Sequence, residues 1–290
     1  MRATTIPDAE CDLGWALGFL GARAVASVER IEDNRYTRIV ATTAGPLAWS
    51  VSLTPVAGGS RATVRTERLG GDGAPPAAFG RASFRHQFDL DRDLDPFRAM
   101  AARDRVLRRL VGARPGLRLP RLADPFEALV RAIVGQLISV AAARTILGRL
   151  ASGFGDPVGT AGRTFPSAAS LASTRPERLR SIGLPTTKAA AILAAACAVR
   201  DGDLPWTTLA QEPERADRVL RSLPGVGPWT SGYVRLRALG DADAFLPTDL
   251  GVRSALTRLG IDPPSLARRT DAWRPWRGLA VGHLWASLAH

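Results

Sequence analysis

Sulfur is scarce in this chain. Its two cysteines, Cys11 and Cys197, cannot supply the four thiolates of an iron–sulfur cluster, and they give neither a disulfide framework nor a zinc site. That usage fits a reducing compartment, so a cytoplasmic protein is expected. Histidine is scarce too: His86, His283 and His290 show no metal-ligand spacing, and no organic cofactor is implied. The chain has no long repeat, no low-complexity tail and no apolar run of transmembrane length. Asp8 and Glu10 near the start argue against a signal peptide. Lysine is almost absent, with Lys188 alone, although Lys plus Arg total 39 against 27 Asp plus Glu.

What the chain does have is positive charge, +12 net with a pI near 11.3. Such an excess favours a polyanion through counterion release, independently of sequence. Because nearly all of it is arginine, its sign says more than its residue type.

The segment Leu223-Pro-Gly-Val-Gly-Pro-Trp-Thr230 gives that charge a context. Upstream, Val219, Leu220 and Leu223 fall on one face of a short helix, which Pro224 and Gly225 are expected to end. Pro228 suits the first turn of a second helix, carried onward by Val234, Leu236 and Leu239. The pattern predicts helix, hairpin, helix over about residues 213–239. Gly225 and Gly227 permit a sharp bend and a close approach, and the unpaired N–H groups of the second helix form an anion site suited to a DNA phosphate. A plain surface turn between packed helices is the competing reading.

Downstream lies Phe245-Leu-Pro-Thr-Asp249, followed by the apolar-periodic Leu250, Val252, Leu256 and Leu259. Asp249 therefore sits at or beside a helix N-terminus, where the helix favours an anion. A carboxylate held there could stabilise a developing cation, such as the oxocarbenium ion formed when an N-glycosidic bond breaks. An ordinary Asp N-cap is the alternative.

Four stretches, Trp15–Val25, Pro125–Val140, the hairpin with its Asp segment, and Trp273–Trp285, occur in one order across nearly the whole chain. In these the chain resembles the 3-methyladenine DNA glycosylase II family, the AlkA type within the helix-hairpin-helix glycosylase superfamily. The resemblance implies a catalytic Asp249 and a base pocket lined by Trp229, Tyr233, Trp285 and Phe19, with Gln136 near its mouth. It makes Leu137 the wedge that enters the duplex where the flipped nucleotide was, and Gly225, Val226, Gly227 and Thr230 the DNA-binding hairpin. The backbone carbonyls of Arg221, Leu223 and Val226 would hold an alkali cation. Relatives that cut the strand carry a lysine where this chain has Trp229, so base removal without lyase activity is implied. Thr248, Leu250 and Pro228 depart from residues that occur in the family, which leaves the carboxylate but bears on pocket shape and one phosphate contact.

An aromatic pocket suits this chemistry, because an alkylated purine such as 3-methyladenine or 7-methylguanine carries positive charge that an indole face attracts. The expected partner is double-stranded DNA with alkylated bases, bound by a monomer without a membrane. A non-catalytic helix-hairpin-helix damage-binding protein, or a glycosylase for deaminated bases such as hypoxanthine, stands as the alternative.

The expected fold class is α+β. Residues 1–90 read as a mixed α/β domain, with a helix near Trp15–Val28, strands at Tyr36–Thr42 and Trp49–Leu53, and a loop at Gly70–Pro76. Residues 91–290 read as helical from Pro96 onward, with turns at Pro115-Gly116 and Gly183–Pro185. The family implies two helical subdomains with the pocket between them.

Overall fold

The computed structural model describes residues 3–70, 74, 75, 78–261 and 268–288. Part of the predicted Gly70–Pro76 loop, and His290, lie outside these residues.

The amino-terminal part is an antiparallel sheet carrying two helices. Its strands are β1 (Ala3–Pro7), β2 (Glu29–Glu32), β3 (Arg35–Val40), β4 (Leu47–Val56) and β5 (Gly59–Arg68), in the spatial order β1-β5-β4-β3-β2. Alternation explains β4: Leu47, Trp49, Val51 and Leu53 point to one face and are buried, with Ser50 and Ser52 between them. That face is covered by α1 (Leu13–Gly21) and α2 (Phe79–Gln87). The helix expected from Trp15 to Val28 ends at Gly21. Val25 and Val28 leave the sheet domain and pack into a helical core, and Ser27 takes a positive φ of 66° as the chain turns into β2.

Next come α3 (Asp95–Ala101), α4 (Arg105–Ala113), α5 (Pro125–Gly135) and α6 (Val140–Phe154). A two-residue hairpin, β6 (Pro157–Val158) and β7 (Gly162–Arg163), interrupts the helices, a feature the periodicity does not predict. There follow α7 (Ala168–Ala172), α8 (Pro176–Ser181), α9 (Thr186–Arg200), α10 (Trp206–Leu209), α11 (Pro213–Arg221) and α12 (Pro228–Val234). The last of these runs into a π-helical turn at Arg235–Leu239, and α13 (Leu250–Arg258) and α14 (Arg277–Ala286) follow it. The first hairpin helix stops at Arg221, so Pro224 and Gly225 shape the turn rather than the helix end.

Two helical cores result. One gathers α5, α6, α9 and α11 around Leu129, Ile133, Leu150 and Ile192; the other gathers α3, α4, α13 and α14 around Phe97, Leu107, Val252 and Trp273. No helix among the described residues is long and apolar enough to cross a membrane.

A ring of buried charge joins the sheet to the first helical core. Glu29 on β2 and Arg38 on β3 meet Glu127 and Arg131, one turn apart on α5. Arg38 Nη1 lies 2.7 Å from Glu29 Oε1, and its Nη2 pairs with Glu127. Arg131 donates to Glu29 Oε2 at 2.5 Å and to Glu127 Oε1 at 2.7 Å, and the Tyr36 hydroxyl donates to Glu29 at 2.7 Å. All four charged side chains are buried. Burial pushes the Glu29 carboxyl up, but Arg131 and Arg38 outweigh it and hold it at about 2.

A buried ion network is weak evidence for net stability, yet breaking one partner leaves an uncompensated charge. Glu127→Ala is expected to cost about 3–5 kcal/mol in urea unfolding. Acid removes stability in two ranges. Burial lowers His283 from 6.5 to about 4, so its contribution is lost as pH falls through that interval. That of Glu29 is lost between 4.5 and about 2. Urea titrations at stepped pH should show both losses, and Glu29→Gln should flatten the lower one.

Candidate active site

The cavity that matters opens where the three cores meet. Trp229 packs against both helical cores, and Trp15 packs against the sheet core and the second helical core. Between them lies a cavity of about 1210 Å³. Ten of the residues singled out in the sequence line it: Phe19, Gln136, Leu137, Gly225, Gly227, Trp229, Thr230, Tyr233, Asp249 and Trp285.

Asp249 is the N-cap of α13, with extended backbone angles of −65° and 129°. Its Oδ1 accepts from the Val252 N–H at 2.9 Å, the ordinary capping bond, and also from Trp285 Nε1 at 2.8 Å. Its Oδ2 accepts from Trp229 Nε1 at 2.9 Å. One side chain thus does two things: one bond caps the helix, and two indoles fix the carboxylate against the cavity. Gly251 permits this approach, since a Cβ there would lie 3.0 Å from Trp285 Cδ1 and 3.1 Å from Asp249 Oδ1.

The walls are aromatic. Trp229 stacks on Tyr233 with ring centroids 5.4 Å apart, and Phe19 lies between Trp15 at 5.2 Å and Trp285 at 6.1 Å. Among the lining residues not singled out from sequence are Trp15, Arg23 and Arg237. Arg23 lies 3.7 Å over the Phe19 ring, and Arg237 lies 4.8 Å from the same ring. Arg237 Nη1 also donates to the Tyr233 hydroxyl at 2.9 Å, and its Nε donates to the Pro120 carbonyl at 2.7 Å. Burial pushes Arg23 down to about 10, which leaves it cationic at neutral pH. A signal existed in the spacing: each arginine follows its aromatic, Phe19 or Tyr233, by four residues, one helical turn.

At the cavity mouth, Leu137 is 99% exposed with φ +58°, while Gln136 beside it turns inward. The Gln136 amide donates to the Gly225 carbonyl at 2.9 Å and to the Thr230 hydroxyl at 2.8 Å. Gln136 therefore lines the cavity while its amide group is engaged by the hairpin. Thr230 and Val226 are buried, so what these two can offer a phosphate is backbone, not side chain. Helix geometry leaves the Trp229 and Thr230 N–H groups, in the first turn of α12, without an intrahelical acceptor. The Leu223 carbonyl accepts the Val226 N–H at 3.2 Å, closing the turn that would present a cation with the carbonyls of Arg221, Leu223 and Val226.

Two family models match the chain in order: the AlkA N-terminal domain over residues 9–124, and the HhH-GPD superfamily base excision DNA repair protein over residues 130–277. The chain belongs to the HhH-GPD superfamily of base excision DNA repair proteins. It is 37% identical over 276 residues to DNA-3-methyladenine glycosylase 2 of Escherichia coli K12, covering 94% of this chain and 93% of that protein. It is 30% identical over 210 residues to the DNA-3-methyladenine glycosylase of Bacillus subtilis 168, covering 69% of each. In fold it is similar to 3-methyladenine DNA-glycosylase from Archaeoglobus fulgidus, with a TM-score of 0.80 at 21% identity, covering 98% of this chain and 97% of that one. The two glycines of the hairpin differ in what holds them. Gly225 has φ +74° and faces Ala191 Cβ, which an added Cβ would approach to 2.9 Å. Gly227 has an ordinary extended backbone, and a Cβ there would meet nothing within 4 Å. Gly225→Ala should therefore lower the thermal midpoint, while Gly227→Ala should leave it unchanged and weaken binding to a plain DNA duplex. Thermal melts and fluorescence-anisotropy titrations of the two variants check the contrast.

Proposed function

We propose that the protein is a monofunctional DNA glycosylase that flips alkylated bases of the 3-methyladenine and 7-methylguanine type out of duplex DNA and hydrolyses the N-glycosidic bond, leaving an abasic site. The observation that carries this reading is the Asp249 carboxylate, held by two indole N–H groups in the wall of an aromatic cavity beside an exposed leucine. A non-catalytic DNA-binding module would need the hairpin but not this arrangement.

In the proposed mechanism, the N–H groups at the start of α12 take a phosphate, and Leu137 enters the duplex and holds the gap open. The extruded base stacks among Trp229, Tyr233 and Trp285, whose π faces suit a cationic purine. The C1′–N bond then breaks heterolytically: its electron pair goes to the cationic base, which leaves neutral. Water adds to C1′ and releases a proton. Both oxygens of Asp249 are already engaged by N–H donors, a geometry that favours a fixed charge beside the oxocarbenium ion over a carboxylate free to turn toward water.

Strand cleavage is not part of this reading, because Schiff-base chemistry needs an amine and Trp229 stands where lyase relatives carry one. The sole lysine, Lys188, directs its ammonium to two carbonyls outside the aromatic wall. The cavity is complete within one chain, which supports action as a monomer, and two free thiols suit the cytoplasm. An alkali cation on the carbonyls of Arg221, Leu223 and Val226 would stiffen the hairpin, and no chemical step depends on it.

Asp249→Asn keeps the N-cap, since Asn caps as well as Asp, and removes the charge. Release of free base from methylated duplex DNA should fall about 10²–10³-fold at equal DNA occupancy, with binding retained. Binding without release by the native protein would sink the alkylbase reading and favour a damage-recognition module.

A further inference from the structure

The loop that carries Leu137 is held more firmly than its exposure suggests. Leu137 is 99% exposed in a left-handed backbone conformation, and Ile138 and Val140 beside it are also exposed. Nothing in its own packing keeps such a residue in place. Three sets of hydrogen bonds do so from outside. Ser139 Oγ accepts the Ala142 N–H at 3.1 Å and starts α6 on the far side of the loop. On the near side, the Gln136 amide is tied to Gly225 and Thr230 of the hairpin. From below, Lys188 Nζ donates to the Val134 carbonyl at 2.8 Å and to the Gln136 carbonyl at 2.7 Å.

The second Lys188 bond is the telling one. The Gln136 carbonyl belongs to the peptide that enters Leu137, so an ammonium on that oxygen fixes the plane from which the leucine projects. The carbonyl ends of α5 are also where a cation is favoured electrostatically. Among the described residues Lys188 meets no carboxylate, so its charge is directed to these carbonyls. The position is also the single place where the chain uses lysine, and a compact ammonium reaches two neighbouring carbonyls at one point better than a planar guanidinium does.

Lys188 stands near the start of α9, and Ala191, one turn on, is the residue whose Cβ a side chain at Gly225 of the hairpin would meet at 2.9 Å. One helix therefore supports both the wedge loop and the phosphate-gripping turn. We propose that Lys188 is a positioning residue for the wedge, which with the Gln136 amide locks Leu137 to the hairpin so that grip and wedge form one preset frame. This rests on the reading of Leu137 as the residue that enters the duplex.

The test compares binding of two duplexes, one undamaged and one carrying a tetrahydrofuran abasic analogue with 2-aminopurine opposite it. The proteins are native, Lys188→Met, Lys188→Arg, Leu137→Ala and the Lys188→Met/Leu137→Ala pair, each checked by thermal melt. Lys188→Met should weaken binding to the abasic duplex about tenfold and diminish the 2-aminopurine response, with affinity for undamaged duplex unchanged. Lys188→Arg, which keeps the charge but not the compact donor, should recover only part of the loss, and the paired variant should be no worse than Leu137→Ala alone. An equal loss on both duplexes would make Lys188 a plain phosphate contact, and multiplying losses in the pair would make it independent of the wedge; either overturns the proposal, as does no loss at all. Should Lys188→Met fail to fold, Lys188→Gln takes its place with the same expected outcomes. Failure of the native protein to release base from methylated DNA would overturn the glycosylase reading separately and leave this binding comparison readable.

Discussion

Four charges removed from water set the geometry of this protein. Glu29, Arg38, Glu127 and Arg131 can be buried together only if each finds its partners, so the sheet and α5 have one way to meet. Apolar faces tolerate sliding by a fraction of a turn; an alternating ring of carboxylates and guanidiniums does not. The influence of that one contact extends along α5 in both directions. Arg131 also donates to the Arg23 carbonyl at 3.2 Å, tying the segment after α1 to the same helix. The far end of α5 delivers Gln136 and Leu137, so the sheet domain, remote in sequence, helps fix the cavity mouth.

The cavity is a by-product of three cores that do not fuse. Large aromatics sit at the seams because they can cover apolar surface on two sides at once and still offer an N–H or a hydroxyl to what lies between. Trp229 does this for the two helical cores and Trp15 for the sheet and the second of them. A carboxylate at such a seam would be left short of donors by apolar walls alone. The indoles of Trp229 and Trp285 make the wall polar at the one point where Asp249 needs it.

The legible parts of this architecture were those whose meaning is local. Proline and glycine around 224–228 announce a turn whatever surrounds them, alternation marks β4, and an Asp ahead of an apolar period marks the start of α13. Long-range pairing was not legible. The helix from Trp15 ends early because Val25 and Val28 find a better partner in another core, which no window of sequence contains. Strand β5 was missed because its Arg- and Thr-rich run, from Gly59 to Arg68, lies half in solvent and alternates weakly. The resemblance places Gln136 near the pocket mouth, but that its amide meets the hairpin, a partner 89 residues away, is not written in any local window of sequence. Arg23 and Arg237 were hidden among 38 arginines, and only their spacing from Phe19 and Tyr233 set them apart.

Leu137 has a further consequence, for how the sequence itself can change. An L-residue other than glycine or asparagine at φ +58° carries backbone strain of roughly 1–2 kcal/mol, and a fully exposed leucine returns nothing to the fold. A chain selected for stability alone would drift toward glycine or asparagine at this position. On the proposed reading of Leu137 as the wedge, stabilising the free protein there and keeping its grip on a gapped duplex are opposed aims, and a screen for a hardier variant that ignores DNA would discard the leucine.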